Sequence, residues 1–363
     1  MKVLLTATVQ SHICQFHKPL VEVLHSHGYE VHVAARNNLA EKNGLKLDFV
    51  DKVFNVPFAR SPKSKDNLRA YKELKRIIDC GQYDVVHCNT PMGGIVTRLA
   101  ARDARTQGTK VYYTAHGFHF YKGAPKKNWL VFYPIEKFFS RMTDKLITIT
   151  QEDYKLASKK FHCEVEHIHG VGVDTKKIHM ISKEEKSQVR KELGITEETK
   201  VILNVGELLP NKNQKTLIKA MSLVIKKVPN CKLLIAGNGK EKENLQQLIQ
   251  ERRLEPYITL LGYTTEINKY FNICNMLAAC SYREGLPLNL VEAMLCRKPV
   301  VASNNRGHRE LVKDSVNGYI VEADDVEKFA EKICVILKDE KTYGENAIQI
   351  ATSFTDENVK MMK

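Results

Sequence analysis

An α/β chain of two doubly wound, parallel-sheet domains is predicted by three features of the sequence. Short apolar runs of strand type alternate with stretches of helical spacing along nearly its whole length. The alternation breaks once, at GVGVDTKKI (170–178), and then restarts. The 363 residues exceed one ordinary domain and suit two of about 150–200 residues each.

In the first half, KVLLTATV (2–9) reads as a buried strand. VQSHICQF (9–16) reads as a loop, and a helix follows over 17–27, ended by Gly28. YEVHVAA (29–35) is the next strand, with a weaker one near 50–56. A basic amphipathic helix over 66–79 leads to the strand DVVHCN (84–89). A helix over 93–105, the strand KVYYTAHG (110–117) and a helix over 128–142 come next. KLITIT (145–150) and VEHIH (165–169) close this half. The second half repeats the scheme: strands at 200–206, 232–239, 258–263, 275–280, 299–303 and 318–321. Helices over 213–228, 241–254, 267–272, 289–297 and 325–338 separate most of them. Two such halves imply Rossmann-like domains facing across a cleft, 1–170 and 171–345.

Composition narrows the class. The nine cysteines are scattered, without CxxC or metal-ligand spacing, which points to reduced thiols in a cytoplasm. VLLTATV (3–9) is too short for a signal peptide, and no apolar run reaches the roughly 20 residues that cross a bilayer. The net charge is +14, of which +10 falls before residue 171. An anionic surface or substrate is therefore expected to meet the N-terminal half. No nucleic-acid-binding motif is present, so the expected anion is a lipid headgroup rather than nucleic acid.

SYREGLPLNLVEAMLCRKPV (281–300) holds the most informative spacing. Glu284 and Glu292 stand eight positions apart, with Gly285 and Pro287 after the first. NMLAAC before them suits a buried strand, and Leu290, Val291, Met294 and Leu295 recur at helical spacing after them. Pro287 suits a helix start near Leu288 or Asn289, and the amides there form a natural seat for phosphate. A carboxylate aimed at phosphate is repelled, so the two glutamates are expected to face vicinal hydroxyls. A diphosphate flanked by polyols describes a nucleotide sugar.

Ser281, Glu284, Gly285, Pro287, Glu292, Ala293, Met294, then Pro299, Val300, Val301 and Ala302, resemble the E-x7-E signature of retaining glycosyltransferases of family four. The glycine usual before the last proline is replaced by Arg297-Lys298. That resemblance implies the GT-B architecture over nearly the whole chain, with a last helix (346–363) returning to the first domain. It implies that Glu292 holds the ribose, that Glu284 holds the donor sugar and that Lys212, in NVGELLPNKNQKTLI (204–218), neutralises the diphosphate. The backbone amides of Leu288 and Asn289, beside Gly285, complete the donor site. At the position where the family most often has Arg stands Glu207, and Arg283 or Arg306 is the expected substitute. His116, in TAHGFHFYKG (114–123), matches the family histidine that contacts the donor sugar from the N-terminal domain; His119 and His12 are further histidines in strand-end loops.

Other chemistries lose their motifs. AGNG (236–239) lacks a third glycine at the spacing of an NAD fingerprint, and no GxxxxGK[ST] occurs. No Asp-x-Asp is present, so no metal or other cofactor is expected at the diphosphate. Residues 118–142 interleave aromatics with Lys122, Lys126, Lys127, Lys137 and Arg141. Trp129, Phe132 and Tyr133 there fit either a membrane-interface segment or a helix packed on its sheet. Arg60, Lys63, Lys65, Arg69, Lys72, Lys75 and Arg76 add a second basic tract, by itself more in keeping with a solvated face. The expected function is transfer of a sugar from a UDP-linked donor to a lipid-linked or glycan acceptor. The wording of TAHGFHFYKGAPKKNW and GELLPNKNQ resembles capsule and exopolysaccharide enzymes of bacteria, which places it in the cytoplasm or peripherally on the inner membrane. A nucleotide-sugar epimerase of the same fold, or a non-catalytic polyanion- or lipid-binding protein, are the alternatives.

Overall fold

The computed structural model describes residues 1–41, 45–170 and 172–355. The chain divides between Gly172 and Val173 into two compact units, inside the joint predicted at 170–178. The first holds β1 (Lys2–Val9), β2 (Glu30–Arg36), β3 (Lys52–Asn55), β4 (Val85–Asn89), β5 (Lys110–Ala115), β6 (Lys145–Thr148) and β7 (Glu164–His167). They form one parallel sheet in the order β3-β2-β1-β4-β5-β6-β7. The second holds β8 (Lys200–Val205), β9 (Cys231–Ala236), β10 (Ile258–Gly262), β11 (Met276–Ala279), β12 (Val300–Ser303) and β13 (Gly318–Val321). Its order is β10-β9-β8-β11-β12-β13, again all parallel.

The strands read as continuous apolar runs because both faces are covered. In β1, Leu4 joins one buried cluster, while Val3, Leu5 and Ala7 join the cluster on the opposite face. The second sheet divides in the same way: Ile202, Leu233, Met276 and Val301 face one core, and Val201, Leu203, Leu277 and Val300 the other.

Several helical segments differ from expectation. VQSHICQF is not a loop: the helix Gln10–Phe16 leaves β1 directly, anchored by buried Ile13. A second helix, Lys18–Ser26, restarts at Pro19, with His17 as the bent residue between them. Gln151–Lys160 and Lys183–Glu192 are helices with almost no apolar stripe, so periodicity hides them. Their termini carry the signal instead, since Thr150 caps the first and Ser182 with Glu185 forms a capping box on the second. The tail expected to leave at 346 stays with the second unit as far as the described residues go. Helix Glu340–Ala351 buries Ala347 and Ala351, and Phe354 follows into the same core. Thr355 pairs with Val173, and 356–363 lie outside the described residues.

A buried ion pair fixes the aromatic helix Lys126–Phe139 to the first sheet. Arg98 Nη2 lies 2.9 Å from Glu136 Oε2, and the guanidinium stacks 4.1 Å from the Tyr113 ring. The half-buried Trp129, Phe132 and Tyr133 pack on the cluster of Phe118 and Phe120, so the packed-helix reading holds for them. The exposed apolar side chains of this helix are Leu130 (78 % exposed), Val131 (50 %) and Phe138 (50 %). Among the described residues, no helix is long and apolar enough to cross a membrane. All nine cysteines are free thiols.

Candidate active site

In the second sheet, successive strands run outward from β8 on one side and then resume at β11 on the other. The loops leaving the carboxyl ends of these neighbours diverge there, the place where open α/β sheets bind ligands. The loop after β8 carries Lys212 at the end of a tight turn, Pro210–Lys212, just before helix Gln214–Lys227. The loop after β11 carries Glu284 and runs into helix Leu288–Leu295, which begins where the sequence predicted.

Backbone bonds lock the two loops together. The Tyr282 amide donates to the Asn211 carbonyl at 2.8 Å, and Asn211 Nδ2 donates to the Arg283 carbonyl at 3.0 Å. Tyr282 Oη reaches Asp324 at 2.6 Å, which with burial pushes its hydroxyl up to about 12. Across this brace Lys212 Nζ and Glu284 Oε1 form an ion pair at 2.6 Å, both side chains largely shielded. The sequence assigned these two residues to separate parts of the donor, and the structure brings them into contact. In this arrangement Glu284 holds the lysine against the loop that leads into helix Leu288–Leu295.

Helix Leu288–Leu295 presents its first-turn amides, from Leu288 and Asn289, at that end. The Asn289 side chain is used structurally: Nδ2 donates to the Val205 carbonyl at 2.7 Å and joins the helix to the end of β8. Glu292 lies one turn further on, and burial pushes its carboxyl up to about 7. Glu207 is exposed, and its carbonyl accepts from Gln214 Nε2 at 3.1 Å. Of the two arginines expected to replace a missing phosphate cation, Arg283 is exposed on the loop of Glu284, whereas Arg306 is buried at the start of helix Arg306–Leu311.

A support beneath Glu284 was missed by the sequence reading. After β12, Asn305 caps helix Arg306–Leu311 by accepting from the His308 amide at 3.0 Å. Asn305 Nδ2 donates to the Ser281 carbonyl at 2.9 Å, and the Ser303 hydroxyl donates to it at 2.5 Å. His308 is buried in this network and its imidazole is pushed down to about 4, so it stays neutral. Gly307 sits so close that a Cβ would collide with the Gly285 carbonyl and stand 3.0 Å from Glu284 Cβ. The sequence signal was there, in Asn-x-Gly-His directly after a strand. Gly307→Ala is expected to cost about 1–3 kcal/mol of stability and to displace Glu284. Chemical denaturation and donor binding by the variant check this together; unchanged values for both would remove Gly307 from the support.

In the first unit, His116 stands one residue beyond β5. Its Nε2 lies 3.2 Å from His12 Nε2 and 3.2 Å from Asn89 Oδ1. Burial first, then the neighbouring His116, holds the His12 imidazole well below its ordinary range. His119 lies away from this pair, stacked on Phe132 at 4.6 Å between ring centres.

Comparison with known proteins identifies the family. Residues 185–352 match the family described as glycosyl transferases group 1, and residues 2–150 the one described as glycosyl transferase 4-like. A Bacillus subtilis protein described as the glycosyltransferase EpsD is 42% identical over 92% of this chain and 86% of its own length. The chain belongs to the type-4 glycosyltransferase family. This glycosyltransferase is also 28% identical, over 84% of its length and 80% of the relative's, to a protein of Escherichia coli. That relative is named UDP-Gal:alpha-D-GlcNAc-diphosphoundecaprenol alpha-1,3-galactosyltransferase. In fold, it superposes on Anabaena HepE, solved in complex with UDP and glucose, with a TM-score of 0.79. At 22% identity over 99% of this chain and 97% of the other, that likeness identifies the glycosyltransferase as GT-B. Family membership removes the non-catalytic binding protein from consideration.

Proposed function

We propose that this glycosyltransferase moves a hexose or N-acetylhexosamine from a UDP-linked donor to a lipid-linked glycan, with retention at the anomeric carbon. The observation that carries the reading is the Lys212–Glu284 ion pair at the switch point of the second sheet, on the loop that runs into helix Leu288–Leu295. In the reaction the bond from the sugar C1 to the β-phosphate oxygen breaks, and a bond from C1 to an acceptor oxygen forms. Negative charge collects on the departing diphosphate. Lys212 and the amides of Leu288 and Asn289 are assigned to stabilise it, which is where a transferase gains most of its rate. As phosphate arrives, Lys212 exchanges Glu284 for the diphosphate, and Glu284 is released toward the sugar. Glu292 takes the ribose hydroxyls. His116→Ala is assigned a loss of turnover, with UDP affinity unchanged.

A UDP donor and a polyprenyl-diphosphate acceptor are supported by the name of the Escherichia coli relative, and the UDP in the HepE structure adds weight to the donor. A role in exopolysaccharide or capsule assembly is supported by the relation to EpsD. Incubation with a panel of radiolabelled nucleotide sugars and polyprenyl-diphosphate glycans tests the reading. Transfer from one UDP-sugar to a lipid-linked acceptor is expected; donor conversion that needs no acceptor would instead favour an epimerase.

Binding to the anionic inner face of the membrane belongs to the same proposal. Leu130, Val131 and Phe138 stand exposed on a helix that also exposes Lys126 and Lys127, with Arg141 exposed just beyond it. Apolar side chains among cations suit an anionic interface. Co-sedimentation with anionic vesicles is expected for the wild type and to fall on adding salt. Leu130→Gln/Val131→Gln is expected to remove the salt-resistant part, whereas Trp129→Ala would act through the fold. Wild type that ignores anionic vesicles at low salt would leave this surface merely solvated.

A further inference from the structure

The first sheet has its own switch point, between β1 and β4, and three histidines from separate segments gather at that end. His12 lies on helix Gln10–Phe16, His17 is the bend before helix Lys18–Ser26, and His116 follows β5. One ring nitrogen from each lies within 4.8 Å of the other two. His12 Nε2 and His116 Nε2 are 3.2 Å apart, with the rings at 88°. The ring centres of His17 lie 5.4 Å from His12 and 5.7 Å from His116.

Zinc binds imidazole nitrogen at about 2.0–2.1 Å, so two ligands in a tetrahedral shell stand about 3.3 Å apart. The His12–His116 pair already has that spacing, and a ring nitrogen of His17 lies within 4.8 Å of both. We propose that His12, His17 and His116 bind one divalent transition-metal ion, zinc being the best match, and leave a fourth position open to water or a substrate oxygen. His12 and His116 are each partly exposed, which gives the ion a way in. The site lies in the first unit, whereas the diphosphate seat belongs to the second.

Titration of the metal-free full chain with Co²⁺, followed by visible absorption, and with Zn²⁺, followed by calorimetry, tests the proposal without any donor present. One equivalent is expected to bind, with the intense bands of four-coordinate cobalt. His12→Gln and His17→Gln are each expected to weaken binding at least about tenfold, judged against the 10–100-fold cost of losing even an outer partner of a metal site. His119→Gln, on the same loop as His116, is the control expected to keep wild-type affinity. His17 is buried, so His12→Gln carries the test if the other variant does not fold. Absence of saturable binding by the wild type, or affinity that neither histidine variant changes, would overturn the proposal.

Discussion

Lys212→Ala is expected to lower turnover by about 10²–10³-fold, the loss seen when one preorganised charge-stabilising group is removed. Its position supports a large effect. With Glu207 exposed where the family most often has a cation, and Arg306 buried, Lys212 has less help at the diphosphate than the usual pattern supplies. Stability should fall by about 1.5–3 kcal/mol, the worth of the largely shielded, hydrogen-bonded ion pair lost with Glu284. Steady-state kinetics beside a thermal melt separates the two. Turnover near wild type would show that Arg283, or an ion, carries the phosphate charge, and loss of wild-type UDP affinity in EDTA would point to the ion.

Glu292→Ala is expected to weaken UDP about 10- to 150-fold, the worth of a lost hydrogen bond to a charged group. Glu284→Ala is expected to spare UDP, or even to tighten it, because it frees Lys212, while impairing use of the sugar nucleotide. Equal losses of UDP affinity in both variants would end this division of roles. Glu292 also makes a prediction about pH. Burial raises its carboxyl from 4.5 to about 7 in the folded protein. Between those values the folded state keeps a proton that the unfolded chain has released, so this residue lowers stability as pH rises through the window. At about 1.4 kcal/mol per pH unit, the penalty above pH 7 is on the order of 3–4 kcal/mol. Glu292→Gln removes it, so the variant should gain stability over wild type at pH 8 and gain nothing near pH 4. A difference that does not vary with pH would contradict the burial of this carboxyl.

The sheets were legible because their strands are buried on both faces. KVLLTATV and GYIV match observed strands residue for residue, and the others lie within three residues of their predicted ends. The helix starting at Leu288 was legible from Pro287 and an apolar stripe. Helix Lys183–Glu192 was not, since it buries only Val189 and Arg190 and its capping box was the sole local signal. Glu284 and Glu292 were found by their spacing, but spacing carries no information about pairing. Lys212 and Glu284 are 72 positions apart in the chain, and only strand order brings their loops together. The histidine cluster was illegible for the same reason. His17 looked like one histidine among 13, and the expected loop before it concealed the helix that turns His12 toward His116.

Calorimetric titration of the wild type with UDP, UMP and uridine, with EDTA present, tests the diphosphate seat most directly. Lys212 and the amides of Leu288 and Asn289 require affinity to fall stepwise from UDP to UMP to uridine, with UDP binding unaffected by the chelator. Equal affinity for all three, or UDP binding that disappears with EDTA, would contradict the account.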